Sequence, residues 1–208
     1  MNITFINGSP KAKAEGSASH VILNDLRTFL PNQKINEIHL NKQEVSEEQM
    51  QLLKSSDAIV FSFPLYVDSV PSQLLSCLYE MEKSLYALPV RVFAISNNGF
   101  FEGVQNRYAL EVIRNWAVRT KLFWGMGIGI GGGGMILGQN IPVGKGSKKD
   151  MGRAMEKLSD SILNNKSGED ILVNMNFPRF LYKMIADHGW KVKARRNGLK
   201  IKDLYKTL

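Results

Sequence analysis

Residues 3–19 read ITFINGSPKAKAEGSAS, and this stretch decides the fold. It opens on β-branched and aromatic residues, Ile3, Thr4, Phe5 and Ile6. It breaks at Asn7-Gly8-Ser9-Pro10 and runs through a small polar loop to Ser17-Ala18-Ser19, just ahead of an apolar-periodic segment. The pattern predicts a strand, a donor-rich loop and a helix N-terminus. Such an N-terminus has unpaired backbone N–H groups and the positive end of the helix dipole, so it suits an anion. Ser9, Ser17 and Ser19 add hydroxyls, and the phosphate of a nucleotide-like cofactor would fit. An ordinary strand–helix turn in which Ser17 only caps the helix fits the same residues.

Working outward, the same alternation of apolar runs and turn signals repeats. Residues 34–40 read as a second strand, 57–63 (DAIVFSF) as a third, 89–96 (PVRVFAIS) as a fourth and 122–130 as a fifth. Helical periodicity follows each of the first four. Ser46 and Gln49 have capping-box spacing ahead of a short helix. Residues 104–121 form a long helix, 136–150 a loop and 151–163 a further helix. Strands alternating with helices imply a parallel sheet covered on both faces. Five strands with the anion loop after the first favour the order 2-1-3-4-5, with ligands at the carboxyl ends of the strands. The loops after strands one, three and four should then face one site. The second is Pro64-Leu65-Tyr66-Val67-Asp68-Ser69-Val70-Pro71, and the third is Asn97-Asn98-Gly99-Phe100-Phe101-Glu102-Gly103. Aromatic side chains and backbone donors there suit a flat heteroaromatic ring.

Gly127-x-Gly129-x-x-Gly132 matches the spacing of a dinucleotide fingerprint. The motif needs a helix directly after it, and none is expected before Pro142. The glycine loop 131–134 can still bring backbone close to a ligand. His20, His39 and His188 are scattered, and the single Cys77 sits on an apolar helical face. No metal site, disulfide or catalytic triad is expected.

The 208 residues are 44% hydrophobic and 22% charged, ordinary for a globular chain. The net charge of +8 is uneven: nine Lys or Arg and two Asp between Phe177 and Leu208 give +7, which leaves +1 for the rest. No leader peptide is expected, since Met1 runs straight into the first strand, and the reduced-cysteine composition points to the cytoplasm. The organisation expected is a domain over 1–165 and a basic helical extension over 166–208. Phe177, Phe180, Leu181, Met184, Ile185 and Trp190 make an apolar stripe in that extension among its cations. Packing on the domain or on a second copy is favoured over a membrane surface, and nucleic acid is not expected.

Asn7-Gly8-Ser9-Pro10 with Ser17-Ala18-Ser19, and Pro64-Leu65-Tyr66 with Pro71 and Leu74, resemble the flavodoxin-like NAD(P)H-dependent FMN reductases and quinone reductases. The resemblance covers roughly 1–163. It implies a three-layer flavodoxin-like α/β sandwich, an FMN cofactor, NAD(P)H as co-substrate and a homodimer. By it, Ser9, Lys11, Ser17, Ala18 and Ser19 would surround the FMN phosphate. Pro64, Leu65, Tyr66 and Val67 would line the isoalloxazine, and Asn97, Asn98, Gly99 and Phe100 its pyrimidine side. The cofactor would do the chemistry, so no catalytic side chain is named. Backbone N–H groups near Asn98-Gly99 and the Pro64–Tyr66 loop would stabilise charge on the reduced ring. The sequence departs from the family at Ala12 and Ala14 in the first loop, and at Leu75 and Tyr79 on the third helix. A flavodoxin-like electron carrier and a flavin-free interaction module are the rival functions.

Overall fold

The computed structural model describes residues 1–138 and 140–206. Gln139, in the expected loop, and Thr207 and Leu208, at the end of the expected extension, lie outside the described residues. Six parallel strands form one sheet in the order β2-β1-β3-β4-β5-β6. They are β1 (Asn2–Asn7), β2 (Lys34–His39), β3 (Ala58–Pro64), β4 (Arg91–Asn97), β5 (Phe123–Ile130) and β6 (Ile171–Val173).

Side chains alternate across each central strand, and both sides are apolar, which is why these strands read as continuous hydrophobic runs. Ile59, Phe61, Phe63, Val92 and Ala94 point into one core. That core is closed by α2 (Glu47–Lys54), α3 (Ser72–Leu85) and α4 (Arg107–Arg119). Val60, Phe93, Ile95, Ile128 and Ile130 point into the other. It is closed by α1 (Ala18–Arg27), α5 (Gly134–Gly138) and α6 (Lys149–Leu163). The result is the expected three-layer sandwich. The expected capping box also forms: Gln49 N–H donates to Ser46 Oγ, and Ser46 N–H donates to Gln49 Oε1.

Two elements differ from expectation. The sheet has a sixth strand rather than ending at five, and it lies in the stretch assigned to the extension. Its three residues are too few to show a period. Asp170 holds it in register: one carboxylate oxygen accepts from Gly127 N–H at 2.8 Å, and the other is paired with Arg114. A five-residue helix, α5, also begins directly after the glycine loop where none was expected.

The glycines of β5 serve packing. A Cβ at Gly125 would stand 2.2 Å from the Phe93 ring, and one at Gly129 would stand 2.9 Å from Asn106 Cβ. Their absence lets the sheet and the start of α4 close.

Cys77 is buried on α3, and its thiol donates to Lys42 O at 3.3 Å. Burial, aided by the nearby Glu80 carboxylate, pushes its pKa from the ordinary 9.0 to about 11. The unfolded thiol therefore ionises first. The stability this contributes is complete below pH 9.0 and is lost as pH rises to about 11. At pH 8 the lowered thiolate fraction alone should slow alkylation about a hundredfold relative to the unfolded chain. Iodoacetamide labelling with and without denaturant, read by mass spectrometry, checks this; equal rates would contradict it.

The chain divides into two compact units, Met1–Met175 and Asn176–Leu208. The second holds α7 (Arg179–Arg196), a glycine turn and a short 3₁₀ helix (Ile201–Tyr205). The α7 terminus is a Schellman turn: Gly198, at φ +72°, donates to Arg195 O, and Leu199 N–H donates to Ala194 O.

Candidate functional site

A cleft opens at the carboxyl ends of β1, β3, β4 and β5, where the strand order reverses. Its first wall is the loop after β1. Asn7 is fully buried and organises that loop from both ends of its amide. Its Oδ1 accepts from Ser9 N–H at 3.1 Å, and its Nδ2 donates to Ser17 Oγ at 3.2 Å. Gly8 lets the loop pass close to α3, since a Cβ there would come within 2.8 Å of Leu74. Lys11 Nζ reaches back to Gly16 O and fixes the far side of the loop.

Ser17 is the N-cap of α1. Its Oγ accepts from His20 N–H and donates to Ala14 O at 2.7 Å. The capping role is therefore observed, and the Ser17 hydroxyl already has its partners. Ala18 and Ser19 open the helix, where N–H groups have no partner within the helix itself. Ser19 Oγ is buried with no hydrogen-bond partner. His20 turns away to Glu37 and Asn24.

The other walls are stitched together by their own backbones. Leu65 N–H donates to Asn97 O, and Asn97 Nδ2 donates to Phe63 O. Asn98 N–H donates to Ile130 O, and Gly133 N–H donates to Asn98 O. A Cβ at Gly133 would stand 2.7 Å from Asn98 O, so a glycine is required at this closure. Asn98 Nδ2 donates to Glu102 O, while its Oδ1 is buried without a partner.

Eleven of the thirteen residues expected at the site line this one cleft: Ser9, Lys11, Ser17, Ala18, Ser19, Pro64, Leu65, Tyr66, Asn97, Asn98 and Gly99. Val67 and Phe100 do not. Val67 is 98% exposed at the tip of a tight turn in which Tyr66 and Ser69 exchange backbone hydrogen bonds. Val67 and Asp68 both take positive φ there, 48° and 58°, the signature of a type I′ turn and a strained setting for a β-branched residue. Phe100 is 59% exposed and does not line the cleft.

Two further points depart from the sequence reading. Gly133, Gly134 and Leu137 complete the cleft. The glycine run was the signal for them, but nothing in it indicated Leu137. Of the N–H groups expected to face a ligand, those of Leu65 and Asn98 bond to neighbouring segments, and that of Tyr66 bonds within its own turn. Leu75 and Tyr79 lie elsewhere, along an apolar groove between α3 and α4.

The cleft thus has hydroxyls and unpaired helix N–H groups on its α1 side and apolar, aromatic and amide groups on the other. Among the described residues that line it, none is Asp, Glu, His or Cys. Among the described residues, no group of three His, Cys, Asp or Glu could hold a metal ion. No described helix is long and apolar enough to cross a membrane.

Fold and cleft together define a flavodoxin-like α/β protein. A family model described as a flavodoxin-like fold matches residues 1–76. Solved structures share the fold over most of their length. An NADH:FMN oxidoreductase in its apo form is 14% identical, with a TM-score of 0.58, over 85% of this chain and 96% of that one. A flavodoxin-type, WrbA-like protein from Agrobacterium tumefaciens is 14% identical, with a TM-score of 0.53, over 80% and 100%. An FMN-dependent NADH-azoreductase from Bacillus anthracis, solved with FMN, is 13% identical, with a TM-score of 0.52, over 77% and 98%. No curated protein matches the sequence. These comparisons show the flavodoxin-like fold that the two loop motifs implied.

Proposed function

We propose that the chain is an FMN-dependent oxidoreductase that takes reducing equivalents from NAD(P)H and passes them to a small acceptor such as a quinone or free flavin. One observation carries the reading. The cleft holds two buried polar atoms without partners, Ser19 Oγ on the α1 side and Asn98 Oδ1 on the β4 side. Leaving such a group unpaired costs about 1–3 kcal/mol, which a complementary ligand would recover. A hydroxyl donor beside a helix terminus suits a phosphate, and a lone amide acceptor suits the imide N–H of a flavin.

In this reading Ser9, Lys11, Ala18 and Ser19 hold the phosphate. Ser17 and Asn7 set the loop's shape. Pro64, Leu65 and Tyr66 flank the ring. When bound, FMN supplies the hydride chemistry. Among the described residues that line the cleft there is no carboxylate, imidazole or thiol, and in this reading they bind and orient the cofactor. The names of the structural neighbours, an FMN-dependent azoreductase and an NADH:FMN oxidoreductase, support the same reading.

Titration of the flavin-free chain with FMN should quench flavin fluorescence at one equivalent. NADH or NADPH should then be oxidised with a quinone as acceptor. Absence of quenching would remove the flavin. Quenching without NAD(P)H oxidation would leave the electron-carrier reading.

A further inference from the structure

We propose that His39 and Gln73 are positioning residues for the anion side of the cleft, holding the Ser9 peptide from outside it. The inference deepens the flavin reading and rests on it for the identity of the anion. His39 is the last residue of β2 and stands in register with Asn7. Its Nε2 lies 3.0 Å from Ser9 O. A carbonyl oxygen can only accept, so this nitrogen carries a proton and donates. Gln73, in the first turn of α3 and buried, donates its Nε2 to Gly8 O at 3.1 Å and to Leu40 O at 3.5 Å. Neither residue lines the cleft.

The covalent chemistry of the loop decides what these contacts do. The Ser9–Pro10 peptide has no N–H, because its nitrogen is proline's. All it could present to an anion is a carbonyl oxygen, the negative end of its dipole. His39 engages that oxygen outside the cleft. The preceding peptide is fixed at both ends: Gln73 donates to Gly8 O, and Asn7 Oδ1 accepts from Ser9 N–H at 3.1 Å. Ser9 Oγ accepts from Lys11 N–H at 3.4 Å, so its own proton stays available to a ligand. Ser9 is buried and lines the cleft. With its backbone held on both sides, its hydroxyl meets an anion already ordered. Its carbonyl cannot swing in to repel that anion without giving up His39. Binding then carries no cost of first ordering this turn.

His39→Leu removes the donor at a half-buried site and should weaken FMN binding about fivefold, the worth of one ordinary hydrogen bond. Riboflavin, which has the ring without the phosphate, should bind as before. His39→Gln offers an amide N–H in place of Nε2 and should restore FMN affinity. Gln73→Leu should also weaken FMN more than riboflavin. It should lower the melting temperature as well, because Gly8 O loses a buried donor.

Inorganic phosphate separates this proposal from the flavin reading. In the flavin-free chain, phosphate should shift the amide NMR signals of Ser9, Ala18 and Ser19, and His39→Leu should weaken that response. A chain that binds phosphate in this His39-dependent way but does not bind FMN would refute the flavin and keep the positioning role. Unchanged FMN affinity in His39→Leu would overturn the proposal. So would equal losses for FMN and riboflavin, or a His39→Gln chain no better than His39→Leu. A wild-type chain that responds to neither FMN nor phosphate would overturn both readings.

Discussion

Lys148→Ala is expected to destabilise the protein by about 3 kcal/mol, whereas Lys148→Met combined with Asp25→Leu should recover most of that loss. Lys148 Nζ lies 2.9 Å from Asp25 Oδ2, and their side chains are 3% and 17% exposed. The pair joins the residue just before α6 to the α1 helix, whose N-terminus lines the cleft. Removing the lysine leaves a carboxylate mostly out of water with no counter-charge, and that is what costs. Water still reaches part of Asp25, which places the loss at the low end of the range for buried pairs. A pair at the surface would be worth less than about 1 kcal/mol. Urea unfolding separates the cases: at about 2 kcal/mol per molar, the single variant should lose more than about 1 M in midpoint. A smaller shift would mean that water solvates the pair. A double variant no better than the single would mean that apolar replacements cannot fill the space.

The strand order was legible because both faces of the central strands are buried. Residues 57–63 and 89–96 show as unbroken apolar runs for the same reason that they sit between two helical layers. The first loop was legible because capping uses local chemistry: Ser17 and Ser46 act on amides three residues ahead. The unread features depend on distant partners. Strand β6 has three residues and is held by Asp170, whose partners Gly127 and Arg114 lie more than 40 residues away in sequence. The β5 glycines match a dinucleotide fingerprint in spacing alone, a reading set aside on sequence grounds, and only the placement of Phe93 and Asn106 shows what they accommodate. Asn97 and Asn98 read as ring-binding donors. In the folded chain their amide N–H groups tie loops together, and Asn98 Oδ1 is buried without a partner. Sequence placed the loops at one site but could not say which of their polar atoms were already used.

Ala18→Glu should test the anion side of that site with the largest effect on binding. Ala18 is the first residue of α1, partly exposed and lining the cleft. A carboxylate at this position favours the helix dipole and should leave stability unchanged or raise it by about 0.3–1 kcal/mol. For a bound phosphate the sign reverses. Two like charges about 4 Å apart at an effective dielectric near 20 repel by about 4 kcal/mol, and solvent at the cleft mouth lowers this. FMN affinity should therefore fall by at least about a hundredfold, a loss of roughly 2.7 kcal/mol. Riboflavin carries the same ring without the phosphate, so its weaker affinity should change little. The comparison isolates charge from damage, because a distorted cleft would weaken both ligands and lower the melting temperature. Equal losses for FMN and riboflavin would put the ring, not the phosphate, against α1. Unchanged FMN affinity would mean that the α1 terminus holds no anion, and the unpaired Ser19 hydroxyl would then need another partner.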